Sequence, residues 1–151
     1  MKPVLVIGLG NPLMGDDGVG ARAAELMAAD PAVTARADVV AGGTDLLRWM
    51  DEIEGRRRVI LIDAAQGFAK PGEVAVVDDP GQAIGPEYAH TLSAVRALEL
   101  MRGVMPSLGG TRFIWVLAGI ASAGAGGTLS PEAALACERA AGEVRRLVQL
   151  K

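Results

Sequence analysis

The sequence is poor in cysteine, histidine and aromatic residues. Its 151 residues include one Cys, one His and only 3% aromatic side chains. The lone Cys137 excludes an internal disulfide and any multi-cysteine zinc site, which is typical of a protein from a reducing compartment. It lies in an alanine-rich helical pattern without a second His to pair with, so we expect a core residue rather than a nucleophile.

Excess positive charge and long apolar runs are also lacking. Fifteen Lys and Arg residues stand against 18 Asp and Glu, a net charge of -3, without the basic stripe that nucleic-acid binding needs. Gly8, Asn11 and Pro12 interrupt the N-terminal apolar run before a signal-peptide core or a membrane span could form. We therefore expect a cytoplasmic protein that binds neither nucleic acid nor membrane.

The most informative stretch that is present is a glycine-rich segment after an apolar strand. Residues 7–20 read Ile-Gly-Leu-Gly-Asn-Pro-Leu-Met-Gly-Asp-Asp-Gly-Val-Gly. Glycine permits a sharp turn and close backbone approach, so the segment is predicted to be a loop that presents Asp16 and Asp17 to a ligand. The residues expected to shape this loop are Gly8, Gly10, Asn11, Asp16 and Gly18.

Alternating strand and helix patterns predict one domain over residues 1–151. The fold class is α/β: a three-layer sandwich with a five-stranded, mostly parallel twisted sheet and helices on both faces. Strands are predicted at 3–7, 38–43, 58–62, 73–77 and 112–120, and helices at 18–29, 44–54 (capped by Thr44), 91–102 and 131–149. The link from Asp63 to Glu73 is too short for a helical crossover, so the fourth strand is predicted to be antiparallel.

Three polar side chains are predicted to meet at one edge of this sheet. Asp17 and Asp63 follow strands, and His90 precedes or begins a helix. Ligands of open α/β sheets bind at the carboxyl ends of strands, so the three could together hold a divalent ion such as Ni²⁺ or Zn²⁺. Simpler roles compete: Asp16 or Asp17 could cap the following helix, Asp63 could close a turn, and His90 could be a surface or capping histidine.

Three common motifs are disfavoured by their residues. A dinucleotide fingerprint begins at Gly8 and Gly10, but Leu13 stands where its third glycine belongs and no ribose-binding acid ends the second strand. The stretch from Gly119 to Gly124 is one residue too long for a Gly-x-Ser-x-Gly nucleophile turn. A P-loop lacks its Gly-Lys-Ser/Thr. A nicotinamide enzyme, a serine hydrolase and a P-loop nucleotidase are therefore disfavoured.

Six short motifs, spread over nearly the whole chain, carry a resemblance to a known family. They are Gly8–Gly20, Gly42-Gly43-Thr44, Ile62-Asp63-Ala64, Pro71-Gly72-Glu73, His90 and Leu129-Ser130-Pro131. In order and spacing they resemble the hydrogenase maturation proteases, the endopeptidases of nickel–iron hydrogenase assembly. The resemblance implies a five-stranded α/β fold and removal of a C-terminal extension from the hydrogenase large-subunit precursor once nickel has been inserted.

The resemblance also implies roles for particular residues. Asp17, Asp63 and His90 would be the catalytic and metal-contacting set, and Gly42, Gly43 and Thr44 would line the substrate cleft. The nickel would be supplied by the substrate, so no permanently bound cofactor is expected, although other divalent ions could occupy the site in vitro. The partner would be the nickel-loaded precursor, and the protease would act as a monomer. Whether Asp17, Asp63 or the metal activates water is left open.

Two other functions compete with this prediction. Peptidyl-tRNA hydrolases also open with a strand and Gly-Leu-Gly-Asn-Pro, but their loop carries a catalytic His nearby, where this chain has Asp16 and Asp17. Binding tRNA also favours a basic surface, which this composition lacks. A non-catalytic chaperone for a nickel protein could use the same three ligands, and only activity separates it from a protease.

Overall fold

The structure is a computed structural model that describes residues 1–78, 89–124 and 126–151, with the backbone alone for residues 89–92. The strands are β1 (Val4–Leu9), β2 (Ala37–Gly43), β3 (Arg58–Gln66), β4 (Val74–Asp78) and β5 (Arg112–Ile120). The α-helices are α1 (Val19–Ala28), α2 (Pro31–Thr34), α3 (Met50–Ile53), α4 (Ala89–Val104) and α5 (Pro131–Val148). Short 3-10 helices span Gly15–Gly18, Leu46–Trp49 and Pro106–Gly110.

The five strands form one sheet in the order β2-β1-β3-β5-β4. All neighbours are parallel except β4, which runs antiparallel to β5. The predicted fold class and the predicted antiparallel fourth strand are thus confirmed. The chain moves from β1 to β2 on one side and returns to β3 on the other, so the carboxyl ends of β1 and β3 flank the switch point where ligands bind in open α/β sheets.

Helices cover both faces of the sheet and create two apolar cores. Along β3, Ile60 and Ile62 pack into the core shared with α1 and α5, whereas Val59 and Leu61 pack into the core shared with α4. Side chains alternate between the faces of a strand, so Asp63 lies on the α4 side. The core on that side also contains Trp115, which is fully buried.

Several boundaries differ from the sequence prediction. Strand β3 continues past Ile62 because β5 pairs with it as far as Gln66. Asp45, not Thr44, caps the segment after β2, since its Oδ1 accepts from Leu47 N at 3.0 Å. That segment is a 3-10 turn followed by one turn of α3 rather than a continuous helix. The short helix α2, capped by Asp30, was not predicted.

Other parts of the prediction can be compared only in part. At α5, Ser130 Oγ accepts from Ala133 N at 3.1 Å and Pro131 opens the helix, so the predicted cap is confirmed. The polar loop predicted over residues 78–87 lies, apart from Asp78, outside the described residues. Over the described ranges, no helix is both long enough and apolar enough to cross a membrane.

Helix α1 packs against β1 at the distance of backbone contact. A side chain on Gly20 would overlap the carbonyl oxygens of Leu9 and Ile62, and one on Gly8 would overlap the carbonyl oxygen of Gly20. Backbone cannot yield as a flexible side chain can, so these two positions accept only glycine. The close contact fixes where α1 starts and therefore where the preceding loop, with Asp16 and Asp17, meets the sheet.

This contact predicts opposite outcomes for two glycine-to-alanine substitutions in helices. Gly20→Ala should destabilise the fold by about 3 kcal/mol or more, because the methyl group must push helix and strand apart. Gly142→Ala on α5, where a Cβ meets no atom within 4 Å, should stabilise by about 0.5–1 kcal/mol through helix propensity. Urea unfolding monitored by circular dichroism measures both. If both substitutions change the free energy of unfolding by similarly small amounts, α1 does not need the close contact.

Candidate active site

Asp63 lies at the point where β1 ends beside β3. The last β1–β3 pair is Gly8 with Ile62, and on the other side Asp63 still pairs with Leu117 of β5. Asp63 is therefore the first residue of β3 beyond the β1 ladder, rather than the residue that follows the strand. Its side chain is 4% exposed and Oδ1 accepts from the N–H of Ala64 at 2.9 Å.

Asp17 is held by the loop that the glycine-rich segment forms. It lies in the 3-10 turn Gly15–Gly18, and its Oδ2 accepts from Asn11 N at 2.9 Å. Gly10 has φ of 120°, and a side chain there would overlap the carbonyl oxygen of Asp17. The loop thus folds back onto its own start, and the Asp17 side chain is left only 2% exposed.

The two buried carboxylates act on each other electrostatically. Burial, and to a lesser extent the negative charge of Asp17, raise the pKa of Asp63 to about 7, against the opposing effect of the hydrogen bond from the Ala64 N–H. Two carboxylates buried in a region of low dielectric constant favour the binding of either a shared proton or a cation between them. Such a pair can accept or release a proton near neutral pH, and it can contribute oxygen ligands to a divalent ion.

Asp16, expected to shape the loop, makes a contact with Ser130 that the sequence did not predict. Its Oδ1 accepts from Ser130 N at 2.7 Å and its Oδ2 accepts from Ser130 Oγ at 2.7 Å. Helix α1 begins after Gly18 without any side-chain cap, so the expectation that Asp16 or Asp17 caps it is wrong. Asp16 instead ties the loop to the start of α5, a contact between residues far apart in sequence that no local pattern could reveal.

A small cavity of about 50 Å³ opens beside Asp63. Its wall includes Gly43 and Thr44, two of the predicted cleft residues. The third, Gly42, is buried: its carbonyl accepts from Trp49 Nε1 at 2.8 Å, and a side chain on it would overlap Ile7. Cavity residues that the sequence analysis did not single out are Leu46, Ser93 and Ala94.

His90 lies at the start of α4 as far as the structure describes that helix. The described part of α4 begins at Ala89, which places the backbone of His90 in its first turn, and α4 covers the face of the sheet on which Asp63 lies. Its side chain lies outside the described residues. Among those that are described, no group of three or more His, Cys, Asp and Glu could hold a metal ion, so the set Asp17, Asp63 and His90 stays a prediction.

Cys137 is separate from these residues. It is 4% exposed within the core formed by α5, and burial raises the pKa of its thiol. A buried, protonated thiol is inert as a nucleophile. The prediction that it is a core residue is confirmed.

Comparison with known proteins shows the family to which this chain belongs. A family model described as hydrogenase maturation protease matches residues 21–146. The chain belongs to the hydrogenase maturation protease family. The resemblance recognised in the sequence is thus confirmed, and the family is one of proteases, hydrolases that act on peptide bonds.

Solved structures and curated relatives agree with this assignment. The chain is 27% identical to the [NiFe] hydrogenase maturation protease HybD from Thermococcus kodakarensis, with a TM-score of 0.79 and coverage of 99% of this chain and 100% of that one. The hydrogenase maturating endopeptidase HybD from E. coli, 21% identical, shares the fold with a TM-score of 0.74 over 95% of this chain and 90% of that one.

A curated relative matches over a shorter stretch. The hydrogenase expression/formation protein HupD from Bradyrhizobium diazoefficiens is 36% identical over 76 residues, which are 50% of this chain and 40% of that relative. HupD from Rhodobacter capsulatus is 36% identical over 76 residues, 50% of this chain and 36% of its own length. The chain thus matches about two fifths of the length of these curated relatives.

The Asp16–Ser130 contact predicts that the loop and α5 depend on each other for stability. Asp16→Ala should lower the free energy of unfolding by about 2–3 kcal/mol, because it leaves two donors of Ser130 without their charged acceptor. Ser130→Ala should cost about 1–2 kcal/mol, and the double variant should cost less than the sum. The control Asp51→Ala, on the exposed side of α3, should change little. Additive effects of Asp16→Ala and Ser130→Ala would contradict the contact.

The raised pKa of Asp63 predicts that ionisation of this side chain lowers the free energy of unfolding. The folded-state value of about 7 exceeds the ordinary value of 3.8, so the folded chain keeps a proton that the unfolded chain releases. This contribution to stability is complete below pH 3.8 and is lost as the pH rises through 7.

Asp63→Asn removes this pH dependence. In the presence of a chelator, the variant should therefore become more stable than the wild type as the pH rises, by on the order of 4 kcal/mol above pH 7. Urea unfolding of both proteins between acid and mildly alkaline pH measures the difference. Stability curves that run parallel over the whole range would contradict the raised pKa.

Proposed function

We propose that this protein is an endopeptidase that removes the C-terminal extension of a nickel–iron hydrogenase large-subunit precursor after nickel insertion. The observation that carries the proposal is the buried pair Asp17 and Asp63 at the switch point of the sheet, in a chain of the hydrogenase maturation protease family. Both the similarity to hydrogenase maturation proteases and the chemistry of this pair support it.

The carboxylate pair gives a physical reason why nickel on the substrate should matter. Without a cation, burial of Asp63 and the nearby charge of Asp17 keep a proton on Asp63 near neutral pH. A substrate-bound nickel ion would replace that proton, because a nearby cation favours the ionised form of a carboxylate. With the imidazole of His90 as a third ligand, the site would add oxygen and nitrogen donors to a metal that the precursor holds.

The same contact would select the nickel-loaded form of the substrate. A precursor that has received nickel gains this anchor, which positions the scissile bond beside the carboxylates. A precursor without nickel lacks the anchor and meets a site with unfavourable buried charge. Nickel would thus be part of the substrate rather than a resident cofactor of the protease.

Hydrolysis itself needs a group that accepts a proton from water. The water oxygen adds to the scissile carbonyl carbon, the C–N bond breaks, and the proton returns to the leaving amine. A carboxylate oxygen of the pair can perform both transfers, because it can accept a proton from water and return it to the leaving amine. We further propose that the protein acts as a monomer in the cytoplasm, without nucleic acid.

The proposal is tested by the intact mass of the precursor after incubation with this protein. Wild type should remove a C-terminal peptide from nickel-loaded precursor and leave nickel-free precursor whole. Asp17→Asn, Asp63→Asn and His90→Ala should each slow cleavage by about 100-fold or more, since each removes a metal ligand or proton acceptor. Asp51→Asn, an exposed carboxylate on α3, serves as the matched control and should cleave normally.

Two results would contradict the proposal. If wild type binds loaded precursor tightly and leaves it intact, the protein is a nickel-protein chaperone rather than a protease. If loaded and nickel-free precursors are cut at the same rate, nickel does not select the substrate.

A further inference from the structure

A groove leads out of the Asp63 cavity along helix α4. It has a volume of about 270 Å³ and runs between the segment after β2 and the outer face of α4. Thr44, Leu46, Ser93 and Ala94 line both this groove and the cavity that contains Asp63. A molecule bound in the groove would therefore end beside the carboxylate pair.

The walls of the groove are apolar over most of their length. Leu47 lines one side, and Ala97 and Leu100 line the other. Leu100 is 56% exposed, so it presents apolar surface to solvent at the far end. Burying such surface against a bound apolar side chain is favourable.

Two charged residues, Arg96 and Asp45, lie among these apolar residues. Arg96 is exposed on the same face of α4, and no carboxylate among the described residues pairs with it. Asp45, the acidic residue in the opposite wall, already accepts from Leu47 N through Oδ1. Since it has no partner among the described residues, the guanidinium of Arg96 is suited to a carboxylate supplied by the bound molecule.

The length of the groove matches a short stretch of extended chain. From Ser93 to Leu100 the helix rises about 10 Å, at about 1.5 Å per residue. An extended peptide advances about 3.3 Å per residue, so the groove accommodates about three residues. Thr44 and Ser93 supply hydroxyl groups at the end nearest Asp63.

We propose that this groove binds the peptide segment of the precursor next to the scissile bond, with an apolar side chain between Leu47, Ala97 and Leu100 and a carboxylate on Arg96. This assignment rests on the proposed function for the identity of the peptide. The groove then sets which precursor is accepted, because the metal site recognises nickel and not the sequence around the bond. Specificity and metal recognition are thereby assigned to different parts of the surface.

The test measures peptide binding separately from cleavage. The probe is a fluorescein-labelled synthetic peptide that spans the cleavage position of the precursor and contains no nickel. Its dissociation constant for the wild-type protein is measured by fluorescence anisotropy. Ala97→Trp, which fills the groove, and Arg96→Glu, which reverses its charge, should each weaken binding by about tenfold or more.

Two controls separate the groove from general effects. Arg57→Glu makes the same change of charge at the opposite edge of the sheet, beside the start of β1, and should leave binding within about twofold of wild type. A peptide whose acidic residues are replaced by amides should bind wild type and Arg96→Glu equally. Arg96 is exposed, whereas Ala97 is partly buried against the core on the α4 side, so thermal melts show whether both groove variants are folded.

The outcomes distinguish failure of the groove from failure of the proposed function. Suppose that wild type cleaves loaded precursor and that Ala97→Trp and Arg96→Glu bind the peptide and cleave as wild type does. Peptide binding in the groove is then refuted, and the protease activity is retained. If wild type cleaves nothing but binds the peptide in an Arg96-dependent way, peptide binding in the groove is supported and the proposed protease activity is refuted. No binding of the peptide by the wild type overturns the groove.

Discussion

The candidate site depends on the burial of two carboxylates, Asp17 and Asp63, whose charges repel each other. Left alone, such a pair loses stability as it ionises, and the pKa of Asp63 near 7 expresses that conflict. Proteins keep arrangements of this kind where function requires them. Under the proposed function, the unfavourable buried charge would favour the binding of a cation that the substrate brings.

Several parts of the fold maintain this arrangement. Backbone contact at Gly8 and Gly20 fixes α1 against β1, and the loop before α1 folds back so that Asn11 N holds Asp17. Asp16 joins the loop to α5 through Ser130. Asp63 lies where β3 extends beyond β1, and it lines the small cavity at the end of β1 while remaining buried. Residues 8–20 supply most of these contacts, and Ser130 and Asp63, which are remote from them in sequence, complete the site.

The sequence predicted the elements better than the contacts between them. Apolar periodicity located all five strands, and the short link before β4 correctly indicated its direction, because both signals are local. The role of Asp16 was missed, since its partner Ser130 lies on another element, and β3 was cut short because its extension depends on pairing with β5. Thr44 and Asp45 are both good capping residues, and tertiary packing selected Asp45. The cavity residues of α4 carry no motif and became visible only through the fold.

The central claim is that the carboxylate pair binds nickel while the metal is still held by the substrate. It is tested most directly by nickel X-ray absorption on loaded precursor, alone and mixed with this protein and frozen before cleavage. The account predicts that mixing adds oxygen and nitrogen ligands at about 2.0–2.2 Å from nickel, and that Asp17→Asn reduces this change. A nickel spectrum that is the same with and without the protein, while wild type still cleaves the precursor, would contradict the account.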